Sequence, residues 1–283
     1  MMNFHEYPNT YVDQVNVYVN NLERSKDFYS GMLGLHVIKE NKRAITFSAN
    51  GKDPLITVEQ PQGVLPLIRR SAGLYHFALL LPSRKDLAAV TAHLMKEGYP
   101  LVGGADHAVS EALYLEDPDG NGIEIYRDRP SDQWKWENGT VFMPTEAMDE
   151  HLLDELDGEA WTGLPEGTIM GHLHLQVADL KATEQFYVEG LGFNLVAKYG
   201  AYADFISTGG YHHHIGLNVW NSRGIPVQEG VHVGMNYFRL VFPSEEERKE
   251  VIERLEKMDA VVEETDDRLF AKDPSGIKFE LTN

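Results

Sequence analysis

Phe28-Tyr29-Ser30-Gly31-Met32-Leu33-Gly34-Leu35 returns later in the chain as Phe186-Tyr187-Val188-Glu189-Gly190-Leu191-Gly192-Phe193. Two further pairs follow in the same order. Leu81-Pro82-Ser83 recurs as Phe242-Pro243-Ser244, and Asp117-Pro118-Asp119-Gly120 recurs as Asp273-Pro274-Ser275-Gly276. Self-similarity of this kind marks a repeat architecture, so the chain reads as two homologous halves. Each half holds two units of one pattern: an alternating strand, an amphipathic helix, then three strands joined by Gly-bearing turns. The first half (1–128) contains units near 10–62 and 72–128, and the second half (169–283) contains units near 169–222 and 233–283. Residues 129–168 carry Pro, Trp and an acidic helix candidate, and read as the connector. Apolar residues at three- and four-residue spacing predict helices at Leu22–Leu33, Arg84–Glu97, Leu180–Glu189 and Glu245–Met258. The expected fold class is α+β, with four βαβββ modules in two homologous halves.

Bulk composition narrows the function. The 283 residues are 42% hydrophobic, enough for a sizeable core. A net charge of −19, from 25 Lys and Arg against 44 Asp and Glu, argues against nucleic acid, which needs a basic face. Much of the acid sits in Asp149–Glu159 and Glu245–Glu264 and reads as solvated helix surface. No run approaches the roughly 18 apolar residues of a membrane span, and the start Met1-Met2-Asn3-Phe4-His5-Glu6 is polar. There are no cysteines, hence no disulfides and no zinc–thiolate sites. The expectation is a cytoplasmic protein with no membrane partner; a homo-oligomer is compatible with the sheet edges.

Strand parity points to where chemistry can sit, because successive strand residues face opposite sides. In the third unit Leu173, Leu175 and Val177 can cover a helix, while His172, His174 and Gln176 face the other way. The first unit sets Val15, Val17 and Val19 against Gln14, Asn16 and Tyr18. The second sets Tyr75, Phe77, Leu79 and Leu81 against His76, Ala78 and Leu80, and the fourth sets Phe238, Leu240 and Phe242 against Tyr237, Arg239 and Val241. A polar second face in three units of four suggests a solvated concave cleft; an ordinary half-exposed antiparallel sheet would give the same pattern. The equivalent position in the four first strands holds Gln14, His76, His172 and Tyr237.

A second stretch, His107 to Glu124, reads His, five residues, Leu113-Tyr114, two residues, Asp117-Pro118, one residue, Gly120, three residues, Glu124. Asp, Pro, Gly and Asn each favour turn dihedrals, so strand-like Ala112–Leu115 and Ile123–Tyr126 should form a β-hairpin. This spacing resembles the signature of the type I extradiol ring-cleavage dioxygenases. It departs at Ala105, where that pattern has Gly, Asn, Thr, Ile or Val. The whole chain apart from the connector resembles the vicinal oxygen chelate superfamily (glyoxalase, bleomycin resistance, extradiol dioxygenase), whose paired βαβββ modules form a metal-holding cleft.

The resemblance implies a metal ligand at the first-strand position of a module and another on its last strand. Units two and three then supply His76, Glu124 and His172, the two-His, one-carboxylate face of non-haem Fe(II) oxygenases. The implied cofactor is Fe(II), with Mn or another divalent metal as the alternative, and the implied partners are a small aromatic substrate and O2. Tyr114 and His107 would line the substrate pocket. The resemblance also implies an acid/base His before the strand Ile215-Gly216-Leu217. His213 fits that spacing, whereas parity favours His214, and both stay open. The expected function is a metal-dependent extradiol dioxygenase cleaving a catechol-type ring in aromatic catabolism. Two rivals are a glyoxalase-type isomerase or thiol transferase using Gln14, Glu59, His76 and Glu124, and a non-catalytic small-molecule binder of the same fold.

Overall fold

The computed structural model describes residues 3–283 except Asp157 and Glu159; Met1, Met2 and those two acids of the 149–159 stretch lie outside the described residues. The first βαβββ module comprises β1 (Tyr11–Tyr18), α1 (Leu22–Lys26), β2 (His36–Glu40), β3 (Ala44–Ser48) and β4 (Ile56–Glu59). The second comprises β5 (Gly73–Leu80), α2 (Arg84–Lys96), β6 (Leu101–Asp106), β7 (Ser110–Glu116) and β8 (Gly122–Asp128). Three two-residue strands follow in the connector: β9 (Trp136–Glu137), β10 (Thr140–Val141) and β11 (Glu146–Ala147). The third module is β12 (Ile169–Gln176), α3 (Leu180–Gln185), β13 (Asn194–Tyr199), β14 (Ala203–Ser207) and β15 (Ile215–Asn218). The fourth is β16 (Gly234–Val241), α4 (Glu245–Lys257), β17 (Val262–Thr265), β18 (Arg268–Lys272) and β19 (Lys278–Thr282).

The modules pair across the duplication. One mixed sheet runs β17-β18-β19-β16-β1-β4-β3-β2 and so joins modules four and one. The other runs β11-β6-β7-β8-β5-β12-β15-β14-β13 and joins modules two and three. Within a module the first and last strands are parallel, and between modules the first strands meet antiparallel. The apolar faces of all four first strands (Val15, Val17, Phe77, Leu79, Leu173, Leu175, Phe238, Leu240) belong to one continuous core. Burial of these side chains is the main driving term for the assembly.

The repeated Phe-Tyr motif has a local role. Ser83, Asp179, Ser244 and Asn21 cap the four helices by accepting a backbone N–H. The predicted first and third helices do not stay α-helical, however. They widen into π-helical turns at Asp27–Met32 and Phe186–Gly190, closed by Leu33 N–H to Phe28 O (3.0 Å) and Leu191 N–H to Phe186 O (3.2 Å). The turn sends Tyr29 towards the hairpin of the second module, where its hydroxyl donates to Asp117 Oδ2 at 2.9 Å. The acidic helix candidate of the connector is a short 3-10 turn, Leu152–Glu155, with only Leu152 buried. One apolar anchor does not stabilise a longer helix.

Each first strand carries a bulge one residue before the equivalent positions Gln14, His76, His172 and Tyr237. The register skips Asp13 and Asn236 in one sheet, and Tyr75 and Gly171 in the other. Bulges re-aim side chains, and here they correct the parity reading: Tyr75 is not on the helix side but 40% exposed, lining the cavity of its sheet. At Gly171 the bulge brings the backbone against Tyr126, where an added Cβ would lie 1.9 Å from the phenol oxygen.

Candidate metal and substrate site

Four adjacent strands of the second sheet build the site. The β7–β8 hairpin sets Tyr114 opposite Glu124, Glu124 lies beside Ala78 of β5, and Ala78 lies beside His172 of β12. Ala78 is the small residue in that row, so Glu124 and His172 meet over it. His76 occupies the next inward position of β5, opposite His174. Ligand atoms of His76, Glu124 and His172 all lie within 4.8 Å of one another, and all three residues are buried.

Glu124 Oε2 is 2.9 Å from His76 Nε2 and 3.2 Å from His172 Nε2. His76 Nε2 is off the line a hydrogen bond requires and has no hydrogen-bond partner, although it is buried. A buried polar atom in that condition calls for a missing partner. Donors about 2.1 Å from a six-coordinate ion, at right angles, are about 3 Å apart, so the two spacings from Glu124 to the imidazoles fit a divalent cation. Burial works against the Glu124 charge, yet His172 and His76 hold its carboxyl well below the usual range. Burial lowers His172. An anionic carboxylate beside a neutral imidazole is the protonation state that metal binding needs.

The other expected residues divide. His107 Nδ1 lies 2.8 Å from the Pro144 carbonyl, which can only accept, so Nδ1 carries a proton. His107 Nε2 lies 2.8 Å from the Tyr114 hydroxyl. Burial and the neighbouring Glu124 push the Tyr114 phenol well up, keeping it a neutral donor. His213 lines the same cavity as His76, Glu124, Tyr114 and His107, with its ring centroid 4.1 Å from that of His172. His214 does not line it; its Nε2 bonds to Phe4 O (3.0 Å) and its ring packs on His5 and Tyr211. Parity misled here because bends at His212 and His214 interrupt the alternation before β15 begins. Burial, then His172 and His212, lower the His213 imidazole far below its ordinary value.

The cavity has a volume of 680 Å³ and an aromatic far wall: Tyr75, Tyr199, Tyr202, Phe205 and Trp220. Sequence reading missed this wall, and it placed His174 on the polar face of its strand without giving it a role; the His174 ring sits against Gly216. A Cβ on Gly216 would come 2.9 Å from that ring.

Among the described residues the other sheet lacks such a centre. Gln14 donates to Thr57 Oγ1 (2.8 Å) and Glu59 accepts from Asn16. Because β1 pairs with β16 and not with β5, the rival set Gln14, Glu59, His76 and Glu124 is split between two sheets. Tyr237 and Glu280 stand where His76 and Glu124 stand in the other sheet, and Arg268 bonds both, at 2.9 and 3.3 Å. An arginine supplies the positive charge there.

Comparison with known proteins gives a consistent picture. The pattern of the Glyoxalase/Bleomycin resistance protein/Dioxygenase superfamily matches residues 11–125 and 169–281. A catechol-2,3-dioxygenase of Bacillus subtilis (strain 168) is 44% identical over 97% of this chain and 96% of its own length. A biphenyl-2,3-diol 1,2-dioxygenase of Rhodococcus globerulus is 30% identical over 38% of this chain and 58% of its own length. In fold, glyoxalase I from Zea mays superposes with a TM-score of 0.59 at 13% identity, over 97% of this chain and 92% of that one. Among the described residues no helix is long and apolar enough to cross a membrane.

Proposed function

The chain belongs to the Glyoxalase/Bleomycin resistance protein/Dioxygenase superfamily, and from that premise we propose that it is an Fe(II)-dependent extradiol dioxygenase that cleaves a catechol-type ring with O2. The observation that carries this reading is the convergence of His76, Glu124 and His172 beside a cavity that also presents His107, Tyr114 and His213. The near-full-length likeness to a catechol-2,3-dioxygenase supports it. The setting adopted is aromatic catabolism in the cytoplasm.

In this proposal His76, His172 and Glu124 hold the ion. Two imidazoles and one carboxylate are the donor set of non-haem Fe(II) oxygenases, and an ion held there would supply Lewis acidity towards the substrate and O2. The remaining steps belong to the chain. Apolar and aromatic walls exclude water and seat the ring. His213, neutral and inside the cavity, takes the proton of a catechol hydroxyl as the substrate binds and returns it later. With a proton on both ring nitrogens, His107 donates through Nε2 to the Tyr114 oxygen at 2.8 Å and so frees the Tyr114 O–H to donate to the reacting oxygens.

Anaerobic loading with Fe(II) followed by oxygen uptake with catechol tests the function. One O2 consumed per catechol, with a ring-opened semialdehyde as product, supports it; no uptake across a panel of alkyl-, chloro- and aryl-catechols refutes it. For Tyr114→Phe the expected result is unchanged iron content with kcat about tenfold lower, as one hydrogen bond to a reacting group is lost. Loss of iron in that variant would instead make Tyr114 a support of the metal site.

A further inference from the structure

The residue before His213 has no part in the reading above, yet it is completely buried and has a defined partner on each side. His212 Nε2 lies 2.8 Å from Asp128 Oδ1, and His212 Nδ1 lies 2.8 Å from His213 Nδ1. Its ring is held between Tyr211, at a centroid distance of 4.1 Å, and Trp134 of the connector, at 5.1 Å. Trp134 is itself fixed through its indole N–H to Arg129 O (3.0 Å). Both ring nitrogens of His212 are therefore engaged in a fully buried setting.

Proton bookkeeping along this row is restrictive. A carboxylate only accepts, so His212 Nε2 carries the proton that reaches Asp128. With a single proton on His212, its Nδ1 is a bare acceptor. The proton between the two Nδ1 atoms then belongs to His213. A neutral His213 with its proton on Nδ1 has Nε2 as its lone-pair nitrogen, and Nδ1 is occupied.

From this geometry we propose that Asp128 and His212 are positioning residues that lock His213 in the Nδ1–H tautomer and so present Nε2 to the ring substrate as the proton acceptor. The inference rests on the role given to His213 in the proposed function. An unheld imidazole divides between two tautomers and several ring orientations, and only one combination offers an acceptor at the right place. Holding the correct one matters most where proton transfer is part of the reaction. The device also joins the halves of the chain, since Asp128 ends β8 whereas His212 and His213 precede β15.

Two measurements test it. Long-range 15N–1H correlation on metal-free protein, with His213 assigned by comparison with His213→Gln, reports the tautomer without any turnover. The expected result is protonated Nδ1 and bare Nε2 for His213; a protonated Nε2 in the wild type overturns the proposal. Kinetics on the iron-loaded enzyme give the second test. His212→Phe is expected to lower kcat roughly tenfold to a hundredfold, up to the lower end of what acid–base assistance supplies because His213 itself remains, with KM within about threefold. Asp128→Asn retains an oxygen that accepts from His212 Nε2–H and should recover most of the rate lost in Asp128→Leu. Equal rates for Asp128→Asn and Asp128→Leu, or an unchanged kcat in His212→Phe, would count against the relay. If the wild-type enzyme cleaves no catechol, the dioxygenase reading falls, while the nitrogen spectra still decide the tautomer.

Discussion

Glu124→Gln is expected to release the metal while leaving the fold intact. The substitution preserves volume and one carbonyl oxygen but removes the only anionic donor among His76, Glu124 and His172. Loss of a mere outer-shell partner costs roughly 10–100-fold in metal affinity, so loss of a charged ligand should exceed about a hundredfold. Calorimetric titration of the anaerobic protein with Fe(II) or Mn(II) reads this directly. The melting temperature of the metal-free variant should stay close to that of the metal-free wild type, since no apolar contact is lost. Glu280→Gln is the matched control: Glu280 faces Arg268 on the other sheet, and its replacement should leave metal content unchanged. A full complement of iron in Glu124→Gln, or its loss in Glu280→Gln, would move the centre to another place.

A carboxylate on the ring should be the worst substituent for this cavity. Among the described residues, the only Asp, Glu, Lys or Arg side chains that line it are those of Glu116 and Glu124, both acidic. Nearby Arg69 lies outside the lining, and its guanidinium is engaged by both Glu116 oxygens at 2.7 and 2.9 Å. With the two catechol oxygens directed to the metal ligands, a ring carboxylate would lie against the wall, where no Lys or Arg lines the cavity to offset its desolvation. Space, by contrast, is ample. An apolar cavity of about 150 Å³ holds a benzene ring, so 680 Å³ accommodates a second ring against Tyr199, Phe205 and Trp220. The expected kcat/KM for 3,4-dihydroxybenzoate is about a hundredfold below that for 4-methylcatechol, a similarly shaped neutral substrate. Catechol with a phenyl group at the 3-position should be accepted at least as well as catechol itself. Placing an arginine at the exposed rim position Val102 should raise the benzoate-to-catechol ratio of kcat/KM. Equal turnover of the charged and neutral substrates would show that the polarity of the lining does not govern selection.

Much of this was legible because the repeats write themselves into sequence. The duplicated Phe-Tyr and Asp-Pro-x-Gly motifs locate the modules; parity puts His76, His172 and His174 on one kind of face, and the equivalent repeat position is what pairs His76 with His172. The obscure parts have identifiable causes. Tyr75 defied parity because a bulge, which leaves no local signature, shifts it by one face. The His213 and His214 alternatives resisted separation because parity holds only inside regular strand, and two bends precede Ile215. The far wall of the cavity depends on how close the β13–β14 hairpin comes to β5, a tertiary distance absent from any window of residues. Gly216 is a partial exception. An isolated Gly in a strand suggests close approach of another group, and that signal could have led to His174 on the neighbouring strand.

The pairing of modules across the duplication bears on how such a protein is made. His76 and Glu124 come from the half synthesised first, His172 and His213 from the half synthesised last, and the two sets meet only when β5 pairs with β12. On the proposed ligand set, a growing polypeptide that has released residues 1–128 owns two donors and cannot retain a ferrous ion well. Completion of the chain is therefore a precondition for acquiring an oxygen-reactive metal, and an unfinished or truncated product is spared it. The order of synthesis itself acts as a safeguard during biogenesis.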